Sequence, residues 1–349
     1  MFWKRSSPLV GLDIGSYAVK AVLLTKKNDK LLLNKVESVR TPSGAIVDHD
    51  VKNFEVLGKS ITPLVLRVGN KHTDVVAAVS GPSVITKEIK MPITGSEANL
   101  EAQIQIEADQ LIPFPIDDVS LDFEVLNINS NNQATILLSV CHTEQVETRV
   151  AAIKIAGYTP KIMDIAAHAL GRTLQYMQPL FDEPINEQPI AMVDIGANTM
   201  LLVIVLNNQI VYSKEIKFGG DTFNQAVSDY YSMDLDLVEA AKLSDSLPID
   251  YLIDVLPSFQ TLLIQQIRRN LQIFSTSNQG LKIKHLVLSG GGIKLTDTVN
   301  VLRDELSLNI VVANPFISME FDAGINKEKI LNEAHLYTLA VGLSLRGVI

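Results

Sequence analysis

The chain has 349 residues, enough for two or more domains with a large core, and its 47% apolar content excludes a disordered chain. Its net charge of −9, with no block of Lys or Arg, argues against a nucleic-acid partner and against broad adsorption to an anionic membrane. Cys141 is the sole cysteine, so an intramolecular disulfide and a cysteine-built metal cluster are both excluded, which fits a cytoplasmic protein.

Met1–Arg5 is amphipathic but runs into Ser6-Ser7-Pro8, so no signal peptide is expected. Leu9–Leu12 reads as a strand that ends in Asp13-Ile14-Gly15-Ser16. Val19–Thr25 is the next strand, and Leu31–Val39 follows after a polar turn. Asp50–Val68 has helical spacing, with Phe54, Leu57, Ile61, Leu64 and Val65 on one face. Val75–Val79 is a strand closed by Ser80-Gly81-Pro82.

Lys87–Pro92 opens a different region. A helix capped by Ser96 is expected to run to Leu111 and stop at Pro113-Phe114-Pro115. Leu121–Ile128 and Ala134–Val140 then form a hairpin, so helix and hairpin together read as a small inserted subdomain. Cys141 continues an apolar run and reads as a small core thiol. Its neighbour His142 points to the opposite face of the strand and cannot serve it as a base. Helical spacing returns over Glu144–Ala156 and Ile165–Met177, and the acidic, proline-containing Phe181–Pro189 connects two halves.

The opening pattern then recurs. Val193-Asp194-Ile195-Gly196-Ala197 repeats Leu12-Asp13-Ile14-Gly15-Ser16, and the strands Thr199–Leu206 and Ile210–Ile216 repeat the hairpin after Asp13. Two long-period copies imply duplicated domains rather than a solenoid. Met200–Leu206 is far too short to span a bilayer. Phe218-Gly219-Gly220-Asp221 comes next, then helices over Thr222–Tyr231, Leu235–Leu243 and Asp250–Thr276. The strand Lys284–Ser289 runs into Gly290-Gly291-Gly292, followed by a helix Lys294–Leu306, a strand Ile310–Ala313 and a last helix Glu333–Leu345.

These motifs share one chemistry. The turns Gly15-Ser16-Tyr17 and Gly196-Ala197-Asn198 offer backbone amides that can cradle phosphate from two sides. Asp13 and Asp194 would repel bare phosphate, so they make sense with Mg²⁺ between carboxylate and phosphate. Lys20, in the strand leaving the first turn, can neutralise phosphate charge. Gly290, Gly291 and Gly292 place bare backbone at a strand's C-terminal end, where a base or ribose can rest. Taken singly, an Asp-x-Gly turn or a triple glycine is mostly structural. Their order and repetition carry the weight.

On these residues the chain resembles the superfamily of actin, heat-shock chaperone ATPases and sugar kinases. Asp13-Ile14-Gly15-Ser16 with Lys20 is similar to its first phosphate loop. Asp194-Ile195-Gly196-Ala197-Asn198-Thr199 is similar to the second, with Gly219 and Gly220 behind it. Leu288-Ser289-Gly290-Gly291-Gly292 resembles the adenosine loop, and Ala340-Val341-Gly342 the second connecting motif. Within that superfamily, Glu107–Asp118 with Leu121-Asp122-Phe123 resembles the inserted subdomain, called 1C, of the PilM family of type IV pilus assembly proteins. That family is related to the division protein FtsA. Glu239-Ala240-Ala241-Lys242 is similar to the helix whose Glu and Lys reach the ribose and base in FtsA-like proteins.

The resemblance implies an α/β, actin-like (ribonuclease-H-like) pair of duplicated domains with a small inserted α+β subdomain 1C and no 1B. Subdomain 1A is expected over residues 1–86 and 156–185, and 1C over 87–155. Subdomain 2A is expected over 189–225 and 281–349, and 2B over 226–280. The implied protein is cytoplasmic, binds ATP with Mg²⁺, and docks the N-terminal tail of the inner-membrane protein PilN in a groove between 1A and 1C, with Pro113, Phe114 and Pro115 as candidate anchors. It would contact other pilus platform proteins and cytoplasmic motor ATPases and meet the membrane through partners; self-association is left open. No water-positioning residue stands out, His168 on its apolar helix being the nearest, so slow or negligible hydrolysis is expected. Two alternatives are a small-molecule kinase of the same fold, which needs a carboxylate base beside a sugar pocket, and an FtsA-like division tether, which usually carries a C-terminal amphipathic helix; neither feature is evident in the sequence.

Overall fold

The computed structural model describes residues 8–70, 72–92, 97–185 and 187–348, with the backbone alone for residues 97–99. The expected Ser96 cap lies outside the described residues.

Strands β1 (Val10–Ile14), β2 (Ala18–Lys27) and β3 (Lys30–Arg40) form a meander. The two-residue turn Asn28-Asp29 takes positive φ at both positions, which suits the right-handed twist of the strands it joins. The same device recurs twice. Asp48-His49 joins β4 (Ile46–Val47) to β5 (Asp50–Val51), and Asn207-Asn208 makes the corresponding turn in the second half. Helix α1 (Phe54–Val68) therefore begins later than its periodicity predicts. Asp50 and Val51 pair with β4, and the Asn53 side chain accepts the Val56 amide as the cap. Leu57, Ile61, Leu64 and Val65 are buried as expected, whereas Phe54 at the mouth of the helix is exposed.

After β6 (Asp74–Val79) comes the insertion. It comprises β7 (Ile85–Pro92), α2 (Glu97–Leu111), β8 (Val119–Ile128) and β9 (Gln133–His142), with the strands in the order β7-β9-β8. Ile104, Ala108, Ile136 and Leu138 form its separate core. Helix α3 (Thr143–Ala156), which sequence alone groups with the insertion, packs instead on α1. Its Ala152, Ile153 and Ala156 join the Leu57 and Ile61 cluster. Residues 159–164, unassigned in the sequence, and Ile165, expected to open a helix, form strand β10 (Thr159–Ile165), parallel to β6. Pro160 and the register shift beside it mask the strand pattern. Helix α4 (Ala166–Arg172) is correspondingly shorter than predicted, and Leu174–Leu180 is a 3₁₀ turn.

The second half repeats the first. Strands β11 (Ile190–Ile195), β12 (Met200–Leu206) and β13 (Gln209–Ile216) form the second meander. Helices α5 (Gly220–Tyr231), α6 (Leu235–Leu243), α7 (Tyr251–Asp254) and α8 (Leu256–Ser277) follow. The single helix predicted over 250–276 breaks at Val255, because Pro257 has no amide to continue the ladder and starts a new helix instead. Next come β14 (His285–Ser289), α9 (Thr298–Leu306), β15 (Asn309–Val312), β16 (Glu320–Phe321), α10 (Lys327–Asn332) and α11 (Thr338–Ser344).

The two main sheets have the orders β10-β6-β1-β2-β3-β16 and β13-β12-β11-β14-β15. The C-terminal stretch crosses back to the first half rather than staying with the second. β16 pairs with β3, and Phe316, Met319, Ala340, Val341 and Leu345 cover Val22, Leu24 and Leu33. Burying that apolar face outweighs chain proximity. Gly342 lets α11 cross α4, since a Cβ there would overlap the Ala169 carbonyl oxygen.

Candidate functional site: a cleft between two phosphate-type loops

The ends of β1 and β11 bring the two Asp-Ile-Gly loops to opposite walls of one cleft of about 630 Å³. Asp13, Gly15, Ser16, Tyr17 and Lys20 line the first wall, and Asp194, Gly196, Ala197, Asn198 and Thr199 the second. Gly220, Glu239 and Lys242 come in from the helices of the second half, and Gly291 and Gly292 close the end.

Each loop is shaped by the same backbone bond. The Gly15 amide donates to Ala18 O at 3.3 Å and the Gly196 amide to Thr199 O at 2.8 Å. Those two amides are thus committed to the turns. The following amides, of Ser16, Tyr17, Ala197 and Asn198, are the ones without an intramolecular partner among the described residues. Neither Gly15 nor Gly196 takes a left-handed φ, contrary to the conformational reason their type suggests. The glycine needed is steric: a Cβ would meet the carbonyl oxygen that closes the turn at 3.0 Å in both loops.

Gly219 and Gly290 do not line the cleft. Gly219 lies beneath the second loop, and α5 is strapped there by Gly220 N–H to Gly196 O at 3.0 Å and Asp221 N–H to Ala197 O at 2.8 Å. Gly290 takes φ 87°, a conformation open to glycine, and donates its amide to His335 O at 3.0 Å. A 3₁₀ turn, Gly291–Lys294, follows where a helix N-terminus is predicted, and α9 starts only at Thr298.

The charges are arranged along the cleft. Lys20 Nζ lies 2.8 Å from Asp13 Oδ2. Burial opposes the Lys20 charge, but Asp13 and then Asp194 outweigh it and hold the ammonium above its usual range. Burial pushes the Asp194 carboxyl up, while Ser289 Oγ donates to it at 2.6 Å. Asp13 and Asp194 stand on the two facing loops, a carboxylate pair that would suit Mg²⁺ held through water.

The sequence did not single out several residues in and around the cleft. Asp221 follows the Gly219-Gly220 pair and accepts from Asn198 Nδ2 at 2.9 Å; its position directly after the glycines is the signal that was available. Asn224, one helical turn on, donates to Glu239 Oε2 at 2.9 Å and accepts from Lys242 Nζ at 2.8 Å. Arg40 stacks 3.5 Å from the Tyr17 ring centroid and stands 3.7 Å from Glu239. His49, Ser80, Arg149 and Glu215 line the opposite end. His168 does not line the cleft, whereas Ala166 does; burial lowers the His168 pKa. Phe114 lies outside the cleft, half-buried, with its ring 4.4 Å from that of His142, while Pro113 and Pro115 are exposed. Cys141 is buried, as its apolar run predicts.

The fold and cleft define a protein of the actin-like class. The ethanolamine utilization protein EutJ of Carboxydothermus hydrogenoformans superposes with a TM-score of 0.56 at 12% identity, over 97% of this chain and 89% of that one. MreB5 of Spiroplasma citri, bound to AMPPNP, superposes at 0.50 with 13% identity, over 97% and 96%. The chain belongs to the family of the type IV pilus assembly protein PilM, whose model matches residues 11–348. It is also similar to a chain of a PilM-PilN type IV pilus biogenesis complex, with a TM-score of 0.83, 26% identity and 99% of each chain covered.

Proposed function

We propose that this chain is a nucleotide-dependent adaptor of type IV pilus assembly. It binds ATP with Mg²⁺ between its two halves and docks the N-terminal tail of PilN beside the inserted subdomain, between 1A and 1C. The observation that carries this reading is the facing pair of Asp-Ile-Gly loops across one cleft, in a chain of the PilM family. Asp13 and Asp194 would hold the cation through water, and Lys20 the phosphates. Glu239 and Lys242 would meet the sugar and base. Other platform proteins and cytoplasmic motors would engage the same scaffold, which would sit at the inner membrane through its partners. Among the described residues no helix is long and apolar enough to cross a membrane.

Turnover would be slow. Orienting an attacking water requires a residue placed for that task, and none of the cleft residues is assigned to it. Nucleotide exchange would then act on the adaptor through its shape.

Titration of the purified protein with ATP, with and without Mg²⁺, tests the site. Asp13→Ala and Asp194→Ala should each weaken Mg-dependent binding at least tenfold. Wild-type affinity in both variants would refute it. A synthetic PilN-tail peptide tests the docking half, and loss of its binding on deletion of residues 87–140 is the expected result.

A further inference from the structure

The mouth of the cleft carries a cluster that none of the phosphate-loop chemistry uses. Glu239 sits on α6 of the second half, its side chain only 12% exposed. Lys242 and Asn224 both bond its Oε2. The Tyr17 hydroxyl, on the first phosphate loop, faces the same carboxylate. Arg40, at the end of β3, lies flat over the Tyr17 ring at 3.5 Å and reaches Glu239 Oε1 at 3.7 Å. Two elements of the first half thus clasp one carboxylate of the second.

Burial alone would push the Glu239 carboxyl up, yet Lys242 and then Asn224 and Tyr17 hold it below its ordinary range, so it is ionised and accepts hydrogen bonds only. Oε2 is already doubly bonded. At 3.7 Å, Arg40 is too far from Oε1 for a hydrogen bond, so its charge steadies the group without filling the acceptor. A carboxylate in this place repels phosphate and is satisfied by a neutral donor. A sugar carries such donors as adjacent hydroxyls.

We propose that Arg40 is a positioning residue for ribose selection: stacked on Tyr17, it fixes Glu239 at the cleft mouth so that Oε1 accepts a ribose hydroxyl. This rests on the nucleotide reading above. The ion pair is half-exposed, with the Arg40 side chain 54% accessible, so it contributes little to folding and its removal should leave the fold intact.

The test compares ATP with 2′,3′-dideoxy-ATP on wild type, Arg40→Ala and Arg40→Lys, by competition against a fluorescent nucleotide. Wild type should prefer ATP by at least tenfold, the scale of one hydrogen bond to a charged acceptor. Arg40→Ala should cut that preference at least fivefold while changing dideoxy-ATP affinity less than twofold, at unchanged melting temperature. Arg40→Lys should restore part of it, keeping the charge but not the stacked plane. Equal weakening of both nucleotides in Arg40→Ala, or an undiminished preference, would overturn the proposal while leaving the nucleotide site standing. Failure of wild type to bind either nucleotide would overturn both readings.

Discussion

Glu215, on β13, reaches across the cleft and places Oε1 3.2 Å from His49 Nδ1. Its second oxygen accepts the Gly81 amide at the end of β6. His49 is presented by the tight β4–β5 turn, whose Asp48 pairs with Lys217 at 2.8 Å, so two adjacent residues of one turn grip two residues near the end of β13. The turn is anchored from behind. Arg149 of α3 donates to His49 O, and Gln145 donates to Asp50 Oδ1 at 3.2 Å while Ser83 holds its carbonyl oxygen at 3.2 Å. Ser83 leads into the inserted subdomain and α3 leads out of it. The cleft and the insertion therefore share one set of hydrogen bonds.

Glu215→Ala should loosen the closed arrangement of the halves. It leaves the Gly81 amide and the His49 ring without their carboxylate partner, and losing a partner in a mostly buried pair costs about 1–3 kcal/mol. Limited proteolysis should cut the variant faster than wild type at equal temperature, with added ATP and Mg²⁺ closing part of the gap. Identical cleavage rates would show that the pair does not hold the halves together.

The feature most legible in the sequence was the duplicated hairpin, because both its signals are local. An apolar strand ending in Asp-Ile-Gly and a polar two-residue turn lie within one stretch of chain, and the parallel pairing of β11 with β14 then places Asp194 opposite Ser289. The cross-cleft partners were not legible. Arg40 and Glu239, or His49 and Glu215, are distant in sequence, and nothing in their neighbourhoods encodes the meeting. Short elements were lost for a related reason. β10 contains Pro160, and β4–β5 offers only two residues per strand, so tertiary pairing rather than periodicity defines them. The return of residues 316–348 to the first half followed from which apolar face needed cover, which is a property of the whole fold.

Gly342→Ala should be severely destabilising. The added Cβ would overlap the backbone carbonyl of Ala169 and press on Thr173, and backbone atoms on packed helices cannot yield as a flexible side chain would. Overpacking of this kind costs typically about 1–3 kcal/mol and more when the backbone must move. A thermal melt should show a drop of several degrees or loss of soluble protein. Gly44→Ala has open space but φ 71°, and should cost about 1 kcal/mol from conformation alone. Equal effects in the two variants would mean that the α4–α11 crossing is not closely packed.

Cys141 should be unreactive while the chain is folded. It lies at the end of β9, 7% exposed, and burial raises its pKa, so both access and thiolate fraction are low at pH 7.5. A maleimide should label it only as denaturant opens the molecule, which makes the lone thiol a reporter of the insertion's stability. Fast labelling in buffer would mean that β9 frays at this end.

His335 should make the fold acid-sensitive. The residue is 8% exposed, its Nε2 has no hydrogen-bond partner, and burial followed by the nearby Lys294 charge lowers its pKa from 6.5 to about 4. The unfolded chain takes up the proton first as pH falls, so between pH 6.5 and about 4 the unfolded state binds more protons and stability declines; above 6.5 the contribution is complete. The same residue holds the Gly290 amide through its carbonyl, so strain from a charged ring would reach the triple-glycine wall of the cleft. Urea melts of wild type and His335→Gln at pH 7.5 and pH 5 measure this directly. The wild-type midpoint should fall further than the variant's between the two pH values, since glutamine keeps polarity without titrating. A variant that loses as much stability as wild type over that interval would show that other groups, and not His335, carry the acid sensitivity.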